Sequence, residues 1–321
     1  MKLFSCLLTL VRMAVALTFT GLATSAIAAV TTNDPVSVSM SLDTPSTVTL
    51  GEPIILHYKV TNLDPNNKMG IQFGVYKNAW YTLGLIDQAG KPIDPVTDKR
   101  PAKPPGLYIP GDYLLDQAGS RYDAHEGYAV ITQSFVLVQP GKYLLTARVH
   151  LPYIAAPVSE TVFSQERVGK PTETLIQDFV IPITVSPTDA TRLRQVSESL
   201  RQLIVSEKND EKYKAVLAAL FTIPEIQASS SWEALVNQAD WTNREVIAEQ
   251  LAKVHSIKTV DFLVHMLDNP ALSYDEKSFI RTKIDESYNA GDGTVKGHIK
   301  ALAASRGGTM PEKVVIPQAG D

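Results

Sequence analysis

The segment Asp123-Ala124-His125-Glu126 brings together side chains that could bind a metal ion or transfer protons. Imidazole and carboxylate groups are zinc ligands, and they are also the commonest general acids and bases. A zinc-binding helix of the His-Glu-x-x-His type needs a second histidine four residues after the first, and Ala129 stands there instead. Because the segment lies between Gly119 and Gly127, it predicts a solvated loop. We therefore expect neither a metal ion nor another cofactor.

The other candidate chemistry is equally sparse. His57 and His150 lie on the outward faces of two predicted strands and would approach each other only if those strands are neighbours. No serine occupies a Gly-x-Ser-x-Gly elbow, and the single cysteine, Cys6, lies in a segment that we expect to be removed. We therefore assign no catalytic residue and predict a protein that is not an enzyme. A hydrolase that uses His125 or Glu126 is the weakest alternative.

Aromatic side chains are the more promising binding residues. Exposed aromatic rings bind sugars or peptides well, because a flat ring supplies contact area at a low entropic cost. The alternative is that several of these rings cover a hydrophobic core. The candidate partner-binding residues lie before a predicted strand and in a long loop, and they are Trp80, Tyr81, Tyr108 and Tyr113.

The first residues have the pattern of a secretory signal. Lys2 and Arg12 precede an uncharged apolar run at 13–22, and Ala26-Ile27-Ala28 fits the small-x-small cleavage pattern. We predict a signal peptide over residues 1–29, cleaved near Ala28 or Ala29. The mature chain would then have no cysteine, and export without disulfides indicates a bacterial protein of the periplasm or the exterior. No stretch after residue 29 is apolar enough to predict a transmembrane segment.

Charge gives little further guidance. The chain has 30 basic and 34 acidic side chains, a net charge of −4. Removal of Lys2 and Arg12 would lower this to about −6, without long blocks of either sign. A nucleic-acid partner is therefore not expected.

From residue 36 to residue 185 stretches of alternating apolar side chains predict β-strands, within a sandwich domain of residues 30–186. The stretch 54–60 places Ile54, Leu56, Tyr58 and Val60 on one face, and 143–151 repeats this pattern. Prolines recur between 92 and 111 and exclude a central strand there. This range predicts a long loop, and loops longer than ~12–15 residues are often functional.

Two segments carry a resemblance to a known architecture. They are Leu50-Gly51-Glu52-Pro53 before a strand that ends in Val60-Thr61-Asn62, and Pro140-Gly141-Lys142-Tyr143 before a late strand. This arrangement resembles the immunoglobulin-like and fibronectin-type-III-like β-sandwiches of bacterial proteins. The resemblance implies an antiparallel sandwich in which the Tyr143 hydroxyl binds nearby backbone. It implies no particular activity, because such sandwiches have many functions.

Residues 187–306 change to the periodicity of helices. Ser186-Pro187-Thr188-Asp189 predicts a helix start, and the same hydroxyl-to-glutamate spacing recurs at 230–233, 242–245 and 273–276. Paired helices repeating at ~30 residues resemble HEAT-type repeats. A plain helical bundle is an equal alternative. Residues 307–321 are expected to form a flexible tail.

Together these features predict a multidomain β + α protein, with a β-sandwich followed by an all-α domain. The first functional hypothesis is an exported protein-binding module that acts as an inhibitor, an immunity protein or an envelope-assembly factor. Its partner would be another exported or envelope protein. The second is carbohydrate or peptidoglycan binding through the exposed aromatic side chains.

Overall fold

The computed structural model describes residues 35–66, 69–72, 80–96, 112–115, 124–154, 173–238 and 241–306. The chain divides into two compact units, Met1–Asp189 and Ala190–Asp321. The predicted signal peptide, residues 97–111 of the predicted loop and the predicted tail lie outside the described residues.

The first unit contains ten described strands and one short helix. The strands are β1 (Val36–Leu42), β2 (Thr47–Thr49), β3 (Ile55–Asn62), β4 (Met69–Gln72), β5 (Tyr81–Asp87), β6 (Pro92–Ile93), β7 (Asp112–Leu115), β8 (Ala124–Val130), β9 (Gly141–Ile154) and β10 (Glu173–Ser186). The helix α1 (Ile131–Ser134) follows β8 directly. Part of the predicted proline-rich loop is therefore ordered, since β6 pairs with β5 through Leu85 and Ile86.

The strands form two sheets that enclose one hydrophobic core. The first sheet has the order β1-β3-β8, and the second has the order β2-β10-β9-β4-β7, with β5 also paired to β9 and β6 to β5. Alternate side chains of β1, β3, β9 and β10 point into the common core, and among the most deeply buried are Leu56, Val60 and Leu145. The period of two in the sequence thus corresponds to one buried face on each sheet.

All but one of the described strand pairs in this unit are antiparallel. The exception is β2, which runs parallel to the end of β10 and pairs only with Thr184–Ser186. The prediction of a purely antiparallel sandwich is wrong at this point. Ser186 closes β10, and its hydroxyl donates a hydrogen bond to the carbonyl of Val48 at 3.1 Å, so it does not begin a helix.

Two buried polar groups hold the turn after β2. Glu52 folds back so that its carboxylate accepts a hydrogen bond from the Thr49 amide at 2.9 Å. The Thr49 hydroxyl donates to the carbonyl of Pro187 and accepts from the Asp189 amide. Gly51 has a φ of 93°, a conformation that glycine adopts without the steric cost paid by other residues.

The predicted role of Tyr143 is confirmed. Its ring is buried at the start of β9, and its hydroxyl donates to the carbonyl of Gln139 at 2.7 Å. The bond joins the entrance of the strand to the backbone four residues upstream.

All the secondary-structure elements described in the second unit are helices. Its helices are α2 (Ala190–Ser206), α3 (Asp210–Leu220), α4 (Glu225–Gln238), α5 (Trp241–Val254), α6 (Ile257–Leu267), α7 (Tyr274–Ala290) and α8 (Gly293–Ser305). The predicted start at Ser273 is confirmed, since Ser273 and Glu276 form a reciprocal capping box. The predicted start at Ser230 is wrong, because Ser230 lies inside α4.

Polar contacts show the relative direction of two helices in this unit. Arg306 forms a bidentate ion pair with Asp268, and His298 lies 2.6 Å from Asp261. These pairs join corresponding points of α6 and α8, so the two helices run in the same direction. The β sheets of the first unit and the helices of the second confirm the predicted β + α class.

Candidate functional site

Two of the four candidate binding aromatics lie in the core of the sandwich. Trp80 and Tyr81, where β5 begins, are only 1% and 4% exposed. Their ring centroids are 4.8 Å apart in a T-shaped arrangement, and the Trp80 ring meets the Tyr58 ring at 5.1 Å. The sequence left open whether such rings cover the core, and for these two residues they do. In this conformation neither ring presents a face to a sugar.

The Tyr81 hydroxyl is an unusual member of this cluster. It is buried and has no hydrogen-bond partner among the described residues. Burial raises the pKa of Tyr81 well above its ordinary value, with a further contribution from Tyr58. This hydroxyl therefore stays neutral and acts as part of the apolar contact.

The other two candidate aromatics stay predictions. Tyr108 lies outside the described residues. Tyr113 belongs to β7, where it pairs with Ile71 of β4, but its side chain lies outside the described part of the chain. The structure does not bring these residues together with Trp80 and Tyr81 in any described contact.

The segment around His125 is a strand, so its prediction as a loop is wrong. His125 and Glu126 are consecutive residues of β8, and their side chains point to opposite faces of the sheet. The His125 ring lies on the inner side, 6.2 Å from the Tyr58 ring, whereas Glu126 lies on the outer side. Because the sheet separates them, these two side chains cannot act on one substrate or bind one metal ion together.

Glu126 belongs instead to a polar cluster on the outer face of the first sheet. Its carboxylate lies 3.0 Å from the Lys59 ammonium and 3.6 Å from His57 Nε2. The His57 ring stacks on Tyr128 with centroids 4.8 Å apart. The hydrogen bond from Lys59 is the main reason why the pKa of Glu126 is lowered, and His57 adds to the effect. The cluster is a cross-strand ion pair with an aromatic neighbour.

The two outward histidines are not neighbours. His57 lies on β3 in the first sheet, and His150 lies on β9 in the second. Within the described ranges, no group of three or more His, Cys, Asp or Glu side chains is placed to hold a metal ion. No helix among the described residues is long and apolar enough to cross a membrane.

The strongest candidate for a functional surface is the outer face of the second sheet. Ile176 is 63% exposed, Val180 is 52% exposed and Leu144 is 42% exposed, although all three lie in paired strands. Leu144 stands opposite Pro182, while Val180 and Ile176 stand opposite Thr146 and His150. We call Leu144, Ile176, Val180 and Pro182 the outer apolar face.

A charged pair divides this face. Arg148 and Asp178 stand opposite each other, and their side chains form a bidentate ion pair at 2.8 and 3.0 Å. This pair holds the pKa of Asp178 below its ordinary value. The aromatic residues do not indicate this face, whereas the alternation of Ile176 and Val180 with core positions along β10 does.

No protein-family model and no curated protein sequence matches the chain.

Proposed function

We propose that this chain is an exported, non-enzymatic protein that binds another exported or envelope protein. Its role would be that of an inhibitor, an immunity protein or an assembly factor. The outer apolar face supports the proposal. Exposed apolar side chains that lie singly on a surface are ordinary, whereas a row of them on one rigid sheet is typical of an interaction surface.

The composition of the outer apolar face suits a protein partner. Branched aliphatic side chains and a proline surround the Arg148–Asp178 pair, so a partner would meet apolar contacts at both ends and a fixed pair of charges between them. The charged pair sets orientation and the apolar groups supply affinity. A sugar would prefer exposed aromatic rings, which this face lacks in its described part.

We further propose that the first unit is an immunoglobulin-like sandwich and that the second is HEAT-like. The hydrogen bond from Tyr143 to the Gln139 carbonyl supports the first assignment. The parallel arrangement of α6 and α8, with α7 between them in sequence, supports the second, since stacked helix pairs repeat their direction.

Export rests on residues 1–29 of the sequence. The mass of the chain recovered from a periplasmic fraction tests it directly. A mature protein that begins at or next to Ala29 is expected, and full-length chain confined to the cytoplasm would contradict the proposal.

The binding function is tested by affinity capture from periplasmic extract with the mature chain as bait. The wild-type chain is expected to retain a specific protein, and Val180→Asp to lose it, because a carboxylate would then lie within the outer apolar face. Val138→Asp is the matched control, since Val138 is 75% exposed but lies outside this face. Equal capture by the two variants would contradict the assignment of the surface, and no specific capture by the wild type would contradict the function.

A further inference from the structure

Among the described residues, one edge of strand β10 has no partner strand for most of its length. On one side it pairs with β9 continuously from Glu173 to Val185. On the other side its described partner is β2, which reaches only Thr184–Ser186. The stretch from Glu173 to Ile183 therefore has no second strand among the described residues. An open edge of this kind is a template for pairing with another chain.

The backbone groups that face this edge follow from the alternation of the strand. The Thr184 amide donates to the Ser46 carbonyl at 2.8 Å on the β2 side. Even-numbered residues therefore direct their backbone groups to the open edge, and odd-numbered residues direct theirs to β9. The amides available on the open edge belong to Thr174, Ile176, Asp178 and Val180. Pro182 has no amide hydrogen, so the row of donors ends there.

We propose that β10 forms an antiparallel pair with β10 of a second copy of this chain. The two-fold axis of this dimer passes between the two Gln177 residues. Such an interface is isologous, so the same edge serves both partners. Ile176 of each copy stands opposite Asp178 of the other, and Thr174 stands opposite Val180. Every free donor of each strand then meets a carbonyl of the other strand. This dimer goes beyond the proposed function and does not depend on it.

The register at Gln177 is favoured over the next one, centred on Asp178, for three reasons. A centre at Asp178 would place two like charges directly opposite each other, which is destabilising. It would also bring Pro182 into the ladder opposite Thr174, where one carbonyl would lack a donor. Finally, it would bring Glu173 of the second copy opposite Ile183, next to the place that β2 occupies beside Thr184.

A second copy suits this edge because the register supplies one matching cross-strand pair on each face of β10. In the proposed register the outward row pairs β-branched Thr174 with Val180, a favourable cross-strand pair. The inward row pairs Leu175 with Phe179, both of which already belong to the core. The dimer would join the two second sheets into one, with the outer apolar face repeated on both sides of the axis.

The absence of cysteine after residue 6 allows a direct test. In the mature chain, Gln177→Cys introduces a single thiol, and the two thiols of the dimer would lie at a non-hydrogen-bonded pair with Cα atoms about 4.5 Å apart. This distance suits a disulfide. Mild oxidation is expected to give a linked dimer on a non-reducing gel.

Val180→Cys is the matched control, because Val180 lies on the same edge but six residues from its own copy. That offset corresponds to about 20 Å, which no disulfide can span. Linkage of both variants to the same extent would overturn the register, and linkage of neither would overturn the dimer.

A second measurement introduces proline at another outward position of β10, a residue type that the strand already contains at Pro182. Ile176→Pro removes one open-edge donor and leaves the bonds to β9 intact, as Pro182 does. Wild-type chain is expected to sediment as a dimer and the Ile176→Pro variant as a folded monomer, with circular dichroism as the check of folding. A monomeric wild type, or a dimer that survives this substitution, would overturn the proposal. Protection of amides 174–180 that arises only with a foreign protein would assign the edge to that partner instead.

Discussion

The two units expose their apolar side chains in different ways. In the helical unit the large exposed apolar residues lie near helix ends: Val205 in the last turn of α2, Ile226 in the first turn of α4, and Ile257 and Tyr274 at the first residues of α6 and α7. In the sandwich, Leu144, Ile176 and Val180 lie along two long paired strands. The other large apolar residues exposed in the described part of the sandwich lie outside its strands, and they are Leu63, Val96, Val136 and Val138. Scattered apolar residues are normal on a protein surface, whereas a row on a rigid scaffold indicates a contact surface.

The two units also differ in the polar contacts at the ends of their strands and helices. The sandwich uses buried polar groups that reach far along the chain, such as the Thr49 hydroxyl between Pro187 and Asp189. The helical unit uses local caps and exposed ion pairs, such as Ser273 with Glu276 and Asp268 with Arg306. In these examples the sandwich uses buried hydrogen bonds between distant residues, and the helical unit uses helix caps and exposed ion pairs.

The largest effects are expected at two buried tryptophans, Trp80 in the sandwich and Trp232 in the helical unit. Trp80→Ala and Trp232→Ala should each lower the free energy of unfolding by about 3–5 kcal/mol, because each leaves a cavity in a close-packed core. Denaturant titration measures the loss, and hydrogen exchange shows which unit loses protection. Tyr274→Ala, at a 77% exposed position, is the control and should change little. A tolerated Trp80→Ala would contradict the core position of this ring.

Glycine substitutions should have opposite signs in the two units. A Cβ at Gly127 would come 2.1 Å from the Tyr58 hydroxyl oxygen, so Gly127→Ala should destabilise the sandwich by about 1–3 kcal/mol. A Cβ at Gly297 meets nothing within 4 Å, so Gly297→Ala should stabilise α8 by about 0.5–1 kcal/mol. Thermal denaturation of both variants measures the contrast. Equal effects would mean that Tyr58 does not lie over Gly127.

Removing one hydrogen bond at a strand start and one at a helix start compares the two units directly. Tyr143→Phe deletes the bond to the Gln139 carbonyl and should cost about 0.5–1.5 kcal/mol. Ser273→Ala deletes the cap of α7 and should cost about 1 kcal/mol. Ser273→Asp retains a capping acceptor and is expected to restore most of the loss. A neutral Tyr143→Phe would contradict the role of this hydroxyl at the strand entrance.

The smallest effect is expected at the exposed ion pair of the helices. The hydrogen bond from Arg306 lowers the pKa of Asp268 in the folded chain. The stability from this pair is therefore present above the pKa of the unfolded carboxyl and is lost as the pH falls through the lowered folded value. Because the Asp268 side chain is half exposed, solvent screening limits the contribution to about 0–1 kcal/mol.

Asp268→Asn should accordingly cost this small amount at pH 7 and nothing at a pH below the folded pKa of Asp268. Arg306→Gln removes the same pair and should show the same pH dependence. Urea denaturation at the two pH values measures it. A cost that stays constant with pH would show that the charge of Asp268 is not involved.

Much of the fold could be predicted because local pattern and tertiary packing agree. The alternation along β3 and β9, the Tyr143 bond and the Ser273 cap depend on near neighbours in sequence. The parallel contact of β2 with Ser186 could not be predicted, since it joins residues far apart and suppresses a plausible helix cap at Ser186. The helix-start pattern at Ser230 was misleading because tertiary packing overrides it. Trp232 and Leu235 are buried, and the helix continues through Ser230 without a break.

The candidate site was less predictable than the fold. The aromatic types of Trp80 and Tyr81 suit binding and core packing equally well, and only three-dimensional packing decides between them. The opposite directions of His125 and Glu126 follow from simple alternation once their segment is known to be a strand. Exposure of the outer apolar face depends on which other parts of the protein cover the second sheet. Local sequence patterns carry no information about this coverage.

The most direct measurement of the central claim is hydrogen exchange of the captured complex, compared with the chain alone. We expect protection to increase in peptides from β9 and β10, around Leu144, Ile176 and Val180, and to stay unchanged in the helices α2 to α8. Protection confined to those helices would contradict the assignment of the sandwich as the contact surface.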